Sequence, residues 1–268
     1  MFPRLLELGP ITLHSYGLLL ATAFLSATAL LAYLGERDGM NRTRAWDLGF
    51  IVILSALVGA KVLMVLTNFD YYLANPQRFL SLEFWQAGGA YFGGLIGATL
   101  GSYFFIRRHP GLNFWKVADA AAPSIALGQS IGRIGCFAAG CDYGTPSNLP
   151  WAVTFTSQYA ADNVGVPLNV ALHPVQVYES LGTLLLFGFL FWWHGRRSYP
   201  GQVIGFYFVG YGLIRFANEF FRGDVGRGFV FGGLLSIPQV ISLAVLLAGI
   251  VAFLTLEKVS VRLKSSRP

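Results

Sequence analysis

Residues 235–256 read LSIPQVISLAVLLAGIVAFLTL, and nothing between Gly228 and Leu256 is charged. A helix crosses a hydrocarbon core roughly 30 Å thick with about 20 apolar residues. This stretch therefore decides the fold class: an all-α integral membrane protein. Working outward, six more segments have spanning length, at about residues 15–35, 47–67, 88–106, 117–137, 174–194 and 202–222. Seven transmembrane helices are predicted, in a single polytopic domain over residues 1–268. The 117–137 segment is the most polar, holding Asp119, Pro123, Gln129 and Arg133. Composition agrees. The 268 residues are 54% hydrophobic and 12% charged, with a mean hydropathy of +0.56; a soluble domain carries about 25% charged residues. Such apolar content excludes a disordered chain, and two cysteines exclude a disulfide scaffold.

The net charge of +6 does not point to nucleic acid, because the chain has no continuous Lys/Arg tract and no aromatic–basic interleave. Positive charge follows topology instead. Twelve of the 19 Lys and Arg residues fall after the first, third, fifth and seventh spans: Arg37, Arg42, Arg44; Arg107, Arg108, Lys116; Arg196, Arg197; Lys258, Arg262, Lys264, Arg267. The other side has Arg4, Arg78 and Arg227. Lys/Arg excess marks the cytoplasmic side, so the N-terminus is expected outside and the C-terminus inside. No A-x-A-like cleavage site follows the first span before Glu36, so that span is read as a retained helix. The longest outer connection contains no Lys or Arg, and its segment Trp151-Ala-Val-Thr-Phe155 alternates like a strand. A small external head is expected in the 138–173 loop.

Ionisable residues inside membrane spans are costly and point to function. With the orientation set, Lys61, Arg133, Arg215, Glu219 and Arg222 lie late in outward-running spans. Glu179 and His173 lie at the start of an inward-running one, and His14 and Tyr16 at the outer start of the first. All converge on the outer third of the membrane. Asp119 is the one ionisable group clearly in the inner half, so no charged path crosses, as a channel or proton relay would require. A cationic cavity at headgroup depth suits an anionic lipid, and arginine's planar fork suits phosphate oxygens. The competing reading is a structural ion-pair network: Arg215 and Glu219 are i, i+4, and Arg222 would extend that stripe at i+7, nearer the surface.

Gly89, Gly93, Gly97 and Gly101 recur every four residues, a small-residue stripe whose favoured role is helix packing. Residues 128–144 carry five glycines around Arg133, where a phosphate could meet both guanidinium and backbone N–H. Cys136 and Cys141 lack Cys or His neighbours at metal spacing, which argues against zinc. Three readings stand for them: small buried structural residues, a disulfide, or a thiol made reactive by nearby Arg133. His173, just before Pro174, is read as an interfacial cap, a base or a phosphate partner.

Taken together, these motifs resemble the prolipoprotein diacylglyceryl transferase family over nearly the whole chain. The resemblance rests on Leu13-His-Ser-Tyr-Gly-Leu18, Phe92-Gly-Gly-Leu-Ile-Gly97, Gly132-Arg-Ile-Gly-Cys-Phe137 through Gly144, His173-Pro-Val-Gln-Val-Tyr-Glu179, Arg215-Phe-Ala-Asn-Glu-Phe-Phe-Arg222 and Leu235-Ser-Ile-Pro-Gln239. It implies a multi-pass enzyme of the bacterial cytoplasmic (inner) membrane with its active site toward the outer leaflet. The diacylglyceryl group of phosphatidylglycerol moves to the lipobox cysteine thiol of a preprolipoprotein, giving a thioether and glycerol 1-phosphate. The implied partners are phosphatidylglycerol, the signal-peptide/lipobox segment and membrane lipids, with no cofactor, metal or nucleic acid. By resemblance, Arg133 binds phosphatidylglycerol, Arg215 is the second essential arginine, Tyr16 and Gly144 are further functional positions, and Glu219 is the acidic residue after Arg215. Lys61 stands where the family usually shows arginine, which keeps the charge and loses the fork. Phe92 replaces a residue that is often His or Tyr, with Tyr91 adjacent as a further substrate-binding candidate. Cys136 and Cys141 stand where one branch has Asn and Glu.

The implied chemistry is displacement at glycerol C3 with a phosphate ester leaving. Arg133 and Arg215 would stabilise the charge gained by the leaving group, and their field would favour the incoming thiolate. His14, His173, Tyr16 and Glu219 are candidates to take the proton. The alternative of another class is a non-enzymatic transporter or binder of an anionic lipid. Against it, the chain shows no clear inverted repeat and no pair of broken helices in matching positions.

Overall fold

The computed structural model describes residues 3–8, 11–81, 84–85 and 88–265. It is predominantly helical. Strands β1 (Arg4–Leu8) and β2 (Ile11–His14) form an antiparallel pair that leads straight into α1 (Ser15–Arg37). Then come α2 (Arg42–Thr67), the short α3 (Phe69–Ala74), α4 (Tyr91–Arg108) and α5 (Phe114–Ala139). Beyond them lie β3 (Val153–Thr154), α6 (Gln158–Val164), β4 (Ala171–Leu172), α7 (Val175–His194) and α8 (Gln202–Asn218). The chain closes with β5 (Phe229–Val230), β6 (Leu235–Ser236) and α9 (Ile237–Ser265).

A long helix lies over each of the seven predicted segments. Four are long and apolar enough to cross a membrane: Ser15–Arg37, Arg42–Thr67, Val175–His194 and Ile237–Lys258. The other three are diluted or short. α4 is rich in glycine and ends on Arg107 and Arg108, α5 carries Asp119, Gln129 and Arg133, and α8 has only 17 residues. The predicted boundary of that last helix moves. Instead of continuing to 222, the chain tightens into a 3₁₀ turn over Glu219–Phe221, and Arg222 is extended. Arg222 therefore does not prolong the Arg215–Glu219 stripe.

The chain divides into two compact units, residues 31–114 and residues 1–30 with 115–268. In the first, α2 packs on α4 through glycines. A Cβ on Gly59 would overlap the Gly93 carbonyl oxygen, one on Gly93 would overlap the Gly59 carbonyl oxygen, and one on Gly97 would overlap the Ser55 carbonyl oxygen. At Gly93 and Gly97 the glycine repeat is thus a backbone-to-backbone contact, the packing role expected of it.

In the second unit, Ala122 and Ala126 of α5, Leu186 and Leu190 of α7, and Val203, Ile204 and Tyr207 of α8 form one buried core. Asp119, fully buried in α5, caps α8 from outside. Its Oδ2 accepts from Gly201 N at 2.7 Å, and its Oδ1 accepts from Val203 N and Ile204 N at 2.9 and 3.0 Å. Those N–H groups belong to the helix start that no intrahelical carbonyl reaches. Arg197 Nε, 3.4 Å from Asp119 Oδ2, balances the charge. Between α5 and α7 sits a small head with its own core of Phe155, Ala160, Val166 and Leu172. β3 pairs with β4 there, where the alternation at residues 151–155 predicts a strand.

Candidate functional site

The site gathers where the C-terminal ends of α5 and α8 meet the N-terminal ends of α7 and α9. Arg133, in the last turns of α5, donates through Nη1 to Asp142 Oδ2 at 2.6 Å, and its Nε faces Glu179 Oε1 of α7 at 3.1 Å. Glu179 Oε2 also accepts from Asn218 Nδ2 at 3.1 Å. The other oxygen of Asp142 accepts from Arg222 Nη2 at 2.7 Å, and Arg222 holds Asp224 through Nε at 2.8 Å and Nη2 at 2.6 Å. Arg227 faces both Asp224 and Glu219, the latter at 3.3 Å. Glu219 Oε2 lies 2.7 Å from Arg215 Nη1, and its Oε1 accepts from Ser236 Oγ at 2.9 Å just before α9. Four guanidiniums and four carboxylates thus form one continuous network.

Two features differ from the sequence-based picture. Charge is balanced within this cluster, where a net positive cavity is expected, because Asp142 and Asp224 arrive from turns outside the helices. Arg222 is buried, with a side chain only 9% exposed, because it pairs with both of those aspartates; it was expected nearer the surface. Burial alone would push the Asp142 carboxyl up, but Arg133 and Arg222 outweigh it and hold the group below the ordinary carboxylate range.

Not every donor is satisfied. Among the described residues, Arg215 Nη1 and Glu219 Oε2 are buried 2.7 Å apart as an ion pair without hydrogen-bond alignment, and Arg227 Nε and Nη1 are buried with carboxylate oxygens at 3.3 and 3.9 Å but none aligned with them. Gln176 Oε1 and Asn218 Oδ1 are likewise buried without a donor. Buried polar groups left this way are expensive, and guanidinium N–H groups in that state suit an anionic ligand.

A groove of about 550 Å³ opens beside the cluster, lined by Trp151, His173, Tyr178, Ile214, Asn218 and Phe221 among others. Tyr178 fixes its wall: its hydroxyl accepts from Trp151 Nε1 at 2.8 Å and lies 3.2 Å from His173 Nδ1. Asn218 lines both the groove and the charged cluster.

Gly144 belongs to the scaffold of this site. Segment 143–145 threads between two others: Thr145 N donates to Phe221 O, Gly223 N to Tyr143 O, and His173 N to Thr145 O, at 2.8–2.9 Å. A Cβ on Gly144 would overlap the His173 carbonyl oxygen. Tyr16, at the start of α1, lies against α5 at Gly135, whose Cβ would come 3.3 Å from the ring. His14 is turned to the head, with Nε2 3.0 Å from the Tyr159 hydroxyl.

Lys61 and Tyr91 belong to the other unit. Lys61 donates to the Phe84 carbonyl oxygen, with its ammonium 4.8 Å from the centre of that ring. Tyr91 is largely exposed and meets Phe92 edge-on at 5.6 Å. Sequence reasoning did not select Asp142, Asn218, Asp224 or Arg227 as site residues. The available signal was weak: a few charges in otherwise apolar or uncharged outer segments.

A family model described as prolipoprotein diacylglyceryl transferase matches residues 3–255. Curated relatives named phosphatidylglycerol–prolipoprotein diacylglyceryl transferase are similar over nine-tenths or more of their lengths. The Clostridium tetani protein is 34% identical over 253 residues, covering 94% of this chain and 97% of the relative. The Bordetella avium protein is 35% identical over 266 residues, covering 97% and 96%. An Acinetobacter baumannii protein is 32% identical over 255 residues, covering 92% and 90%.

Proposed function

The chain belongs to the prolipoprotein diacylglyceryl transferase family, and on that premise we infer that its arginine–carboxylate cluster is the site where the phosphate of phosphatidylglycerol is held during diacylglyceryl transfer. The protein is a transferase: phosphatidylglycerol donates a diacylglyceryl group to a prolipoprotein. The acceptor atom is the lipobox cysteine sulfur, and the products are a thioether and glycerol 1-phosphate. The enzyme works as a seven-span protein of the bacterial inner membrane, N-terminus out, with this site toward the outer leaflet.

One observation carries the site assignment. Buried guanidinium N–H groups of Arg215 and Arg227, without aligned acceptors, lie in the same network as Arg133 and beside an apolar groove. That arrangement supports an amphiphile whose headgroup is anionic. The phosphate bridges Arg133 and Arg215, displacing carboxylate contacts; Asp142, on a turn and a third exposed, is the partner most easily displaced. As the C3–O bond breaks, negative charge grows on the leaving phosphate, and preorganised guanidiniums in a water-poor site stabilise it. Tyr16, His14, His173 and Glu219 remain the candidates for the thiol proton. Of these, His173 lines the groove and Glu219 sits inside the cluster.

The test is incubation of the purified protein with labelled phosphatidylglycerol and a lipobox peptide. Thioether product with glycerol 1-phosphate is expected. Lipid binding with no turnover would support a non-enzymatic lipid binder instead.

A further inference from the structure

Helix α5 ends in a glycine cap with a specific consequence for its two cysteines. Gly140 takes φ +83°, the left-handed conformation that glycine adopts without strain. Gly140 N, which also donates to Cys136 O at 2.9 Å, donates to Phe137 O at 3.3 Å, and Cys141 N donates back to Cys136 O at 3.2 Å. In a helix end closed by this pair of bonds, the side chains five residues apart are brought together, usually as an apolar contact. Here those two side chains are both thiols. Their sulfurs and an Asp142 oxygen lie within 4.8 Å of one another, and Cys141 Sγ is 3.6 Å from the Cys136 carbonyl oxygen. Both cysteines are unbridged and half-buried. Cys136 Sγ is also 3.9 Å from Arg133 Nη1, a neighbouring cation of the kind that favours a thiolate.

The same trio invites a metal reading, which electrostatics opposes. Both Asp142 oxygens already accept from guanidiniums, at 2.6 and 2.7 Å, so a divalent cation would face Arg133 and Arg222 at close range.

We propose that Cys136 and Cys141 form a redox-modification site, a dithiol that an oxidant of the disulfide class closes into an intramolecular disulfide at the cap of α5. One protein thiolate attacks the oxidant's S–S bond and expels a thiolate. The second protein thiolate then attacks the protein sulfur of the mixed disulfide, forms the Cys136–Cys141 bond and expels the other thiolate. The protein gives up two electrons and two protons, and the oxidant leaves as two thiols. Closure draws the sulfurs to about 2.05 Å. It pulls on Asp142, the next residue, which is held at φ +54° while bridging Arg133 and Arg222. The dithiol therefore couples redox state to the arginine cluster. That coupling rests on the reading of the cluster as a lipid-phosphate site; disulfide formation does not.

The chain has only these two cysteines, which makes the experiment direct. Full-length protein in detergent is equilibrated with stepped ratios of reduced to oxidised glutathione, trapped with N-ethylmaleimide, and weighed intact. Both alkylations should vanish together in one step, a Cys136–Cys141 cross-linked peptide should appear, and dithiothreitol should restore both thiols. Cys136→Ser and Cys141→Ser should each give only a glutathione adduct. One thiol persisting at every ratio, a stable glutathione adduct on the unaltered protein, or intermolecular dimers would overturn the proposal. A second arm titrates short-chain phosphatidylglycerol into each redox form with no thiol substrate present. Several-fold weaker binding by the oxidised form is expected. Equal binding by both forms overturns the coupling, whereas no binding by either form counts against the lipid-site reading and leaves the disulfide result standing.

Discussion

The arginines of the cluster differ in what they are already doing. Arg133 has two carboxylate partners from two other segments, whereas Arg215 faces one carboxylate on its own chain segment without alignment. Loss of either as a phosphate ligand should cost about 2–4 kcal/mol of transition-state stabilisation, or roughly 30- to 1000-fold in rate, the scale of losing an oxyanion donor. Arg133→Lys and Arg215→Lys keep charge and lose the fork, so both should be impaired. Near-normal turnover in Arg133→Ala and Arg133→Lys would end the phosphate assignment. Asp142 gives a second expectation. Its pKa is depressed in the folded protein, so its ion pairs contribute fully above the unfolded value of about 3.9 and are lost as pH falls through the lower, folded value. Melting temperature measured from about pH 7 down to about pH 2 should fall along this limb. Asp142→Asn should start lower and lose part of that acid dependence; an unchanged profile would show that the pairs add nothing to stability.

At the scale of elements, two contacts hold helices that composition alone leaves loose. α8 is short, and its start is capped by a carboxylate more than eighty residues earlier in sequence. Asp119→Ala strips three backbone N–H groups of their acceptor in a buried place, which should destabilise by about 1–3 kcal/mol or more, since an unmade buried hydrogen bond costs that much. Thermal unfolding in detergent reads this directly, and Asp119→Asn, which keeps one acceptor oxygen, should fall between. The α2–α4 contact is tested by Gly97→Val. Its side chain has nowhere to go but into the Ser55 carbonyl, so overpacking should cost about 1–3 kcal/mol. Gly188→Ala is the control: nothing lies within 4 Å of its Cβ, and alanine is the better helix former by about 1 kcal/mol. Equal stability of the two variants would mean the stripe is not the packing surface.

For the whole molecule, the expectation is a topology. With Cys136 and Cys141 replaced by alanine, single cysteines placed at Ser265 and in the head at Thr156 should label from opposite sides of the membrane. Ser265 should react only after the membrane is opened, because the basic residues after each odd-numbered span favour the cytoplasm. External labelling at Ser265 would invert the orientation and place the arginine cluster at the wrong leaflet. The cysteine-free background should itself keep measurable turnover, since the reacting thiol arrives on the substrate.

Hydrophobic length and glycine spacing are local properties, so the chain alone determined the helical membrane class, a long helix over each of seven segments, the α2–α4 packing stripe and a strand near residue 153. The Arg133 and Arg215 positions were legible too, because a charge inside an apolar run is visible without coordinates. What those charges touch was not. Asp142, Asp224 and Arg227 lie outside the long helices, where a charge carries no signal, and only the fold brings Asp142 onto Arg133 and Arg222, and Arg227 onto Glu219. The early end of α8 at Asn218 was equally hidden, since apolar pattern does not register a switch to 3₁₀ geometry. Burial of Arg222, the balance of charge and the meeting of two thiols at a glycine cap are all decided by distances between residues. A linear sequence specifies such distances only once it has folded.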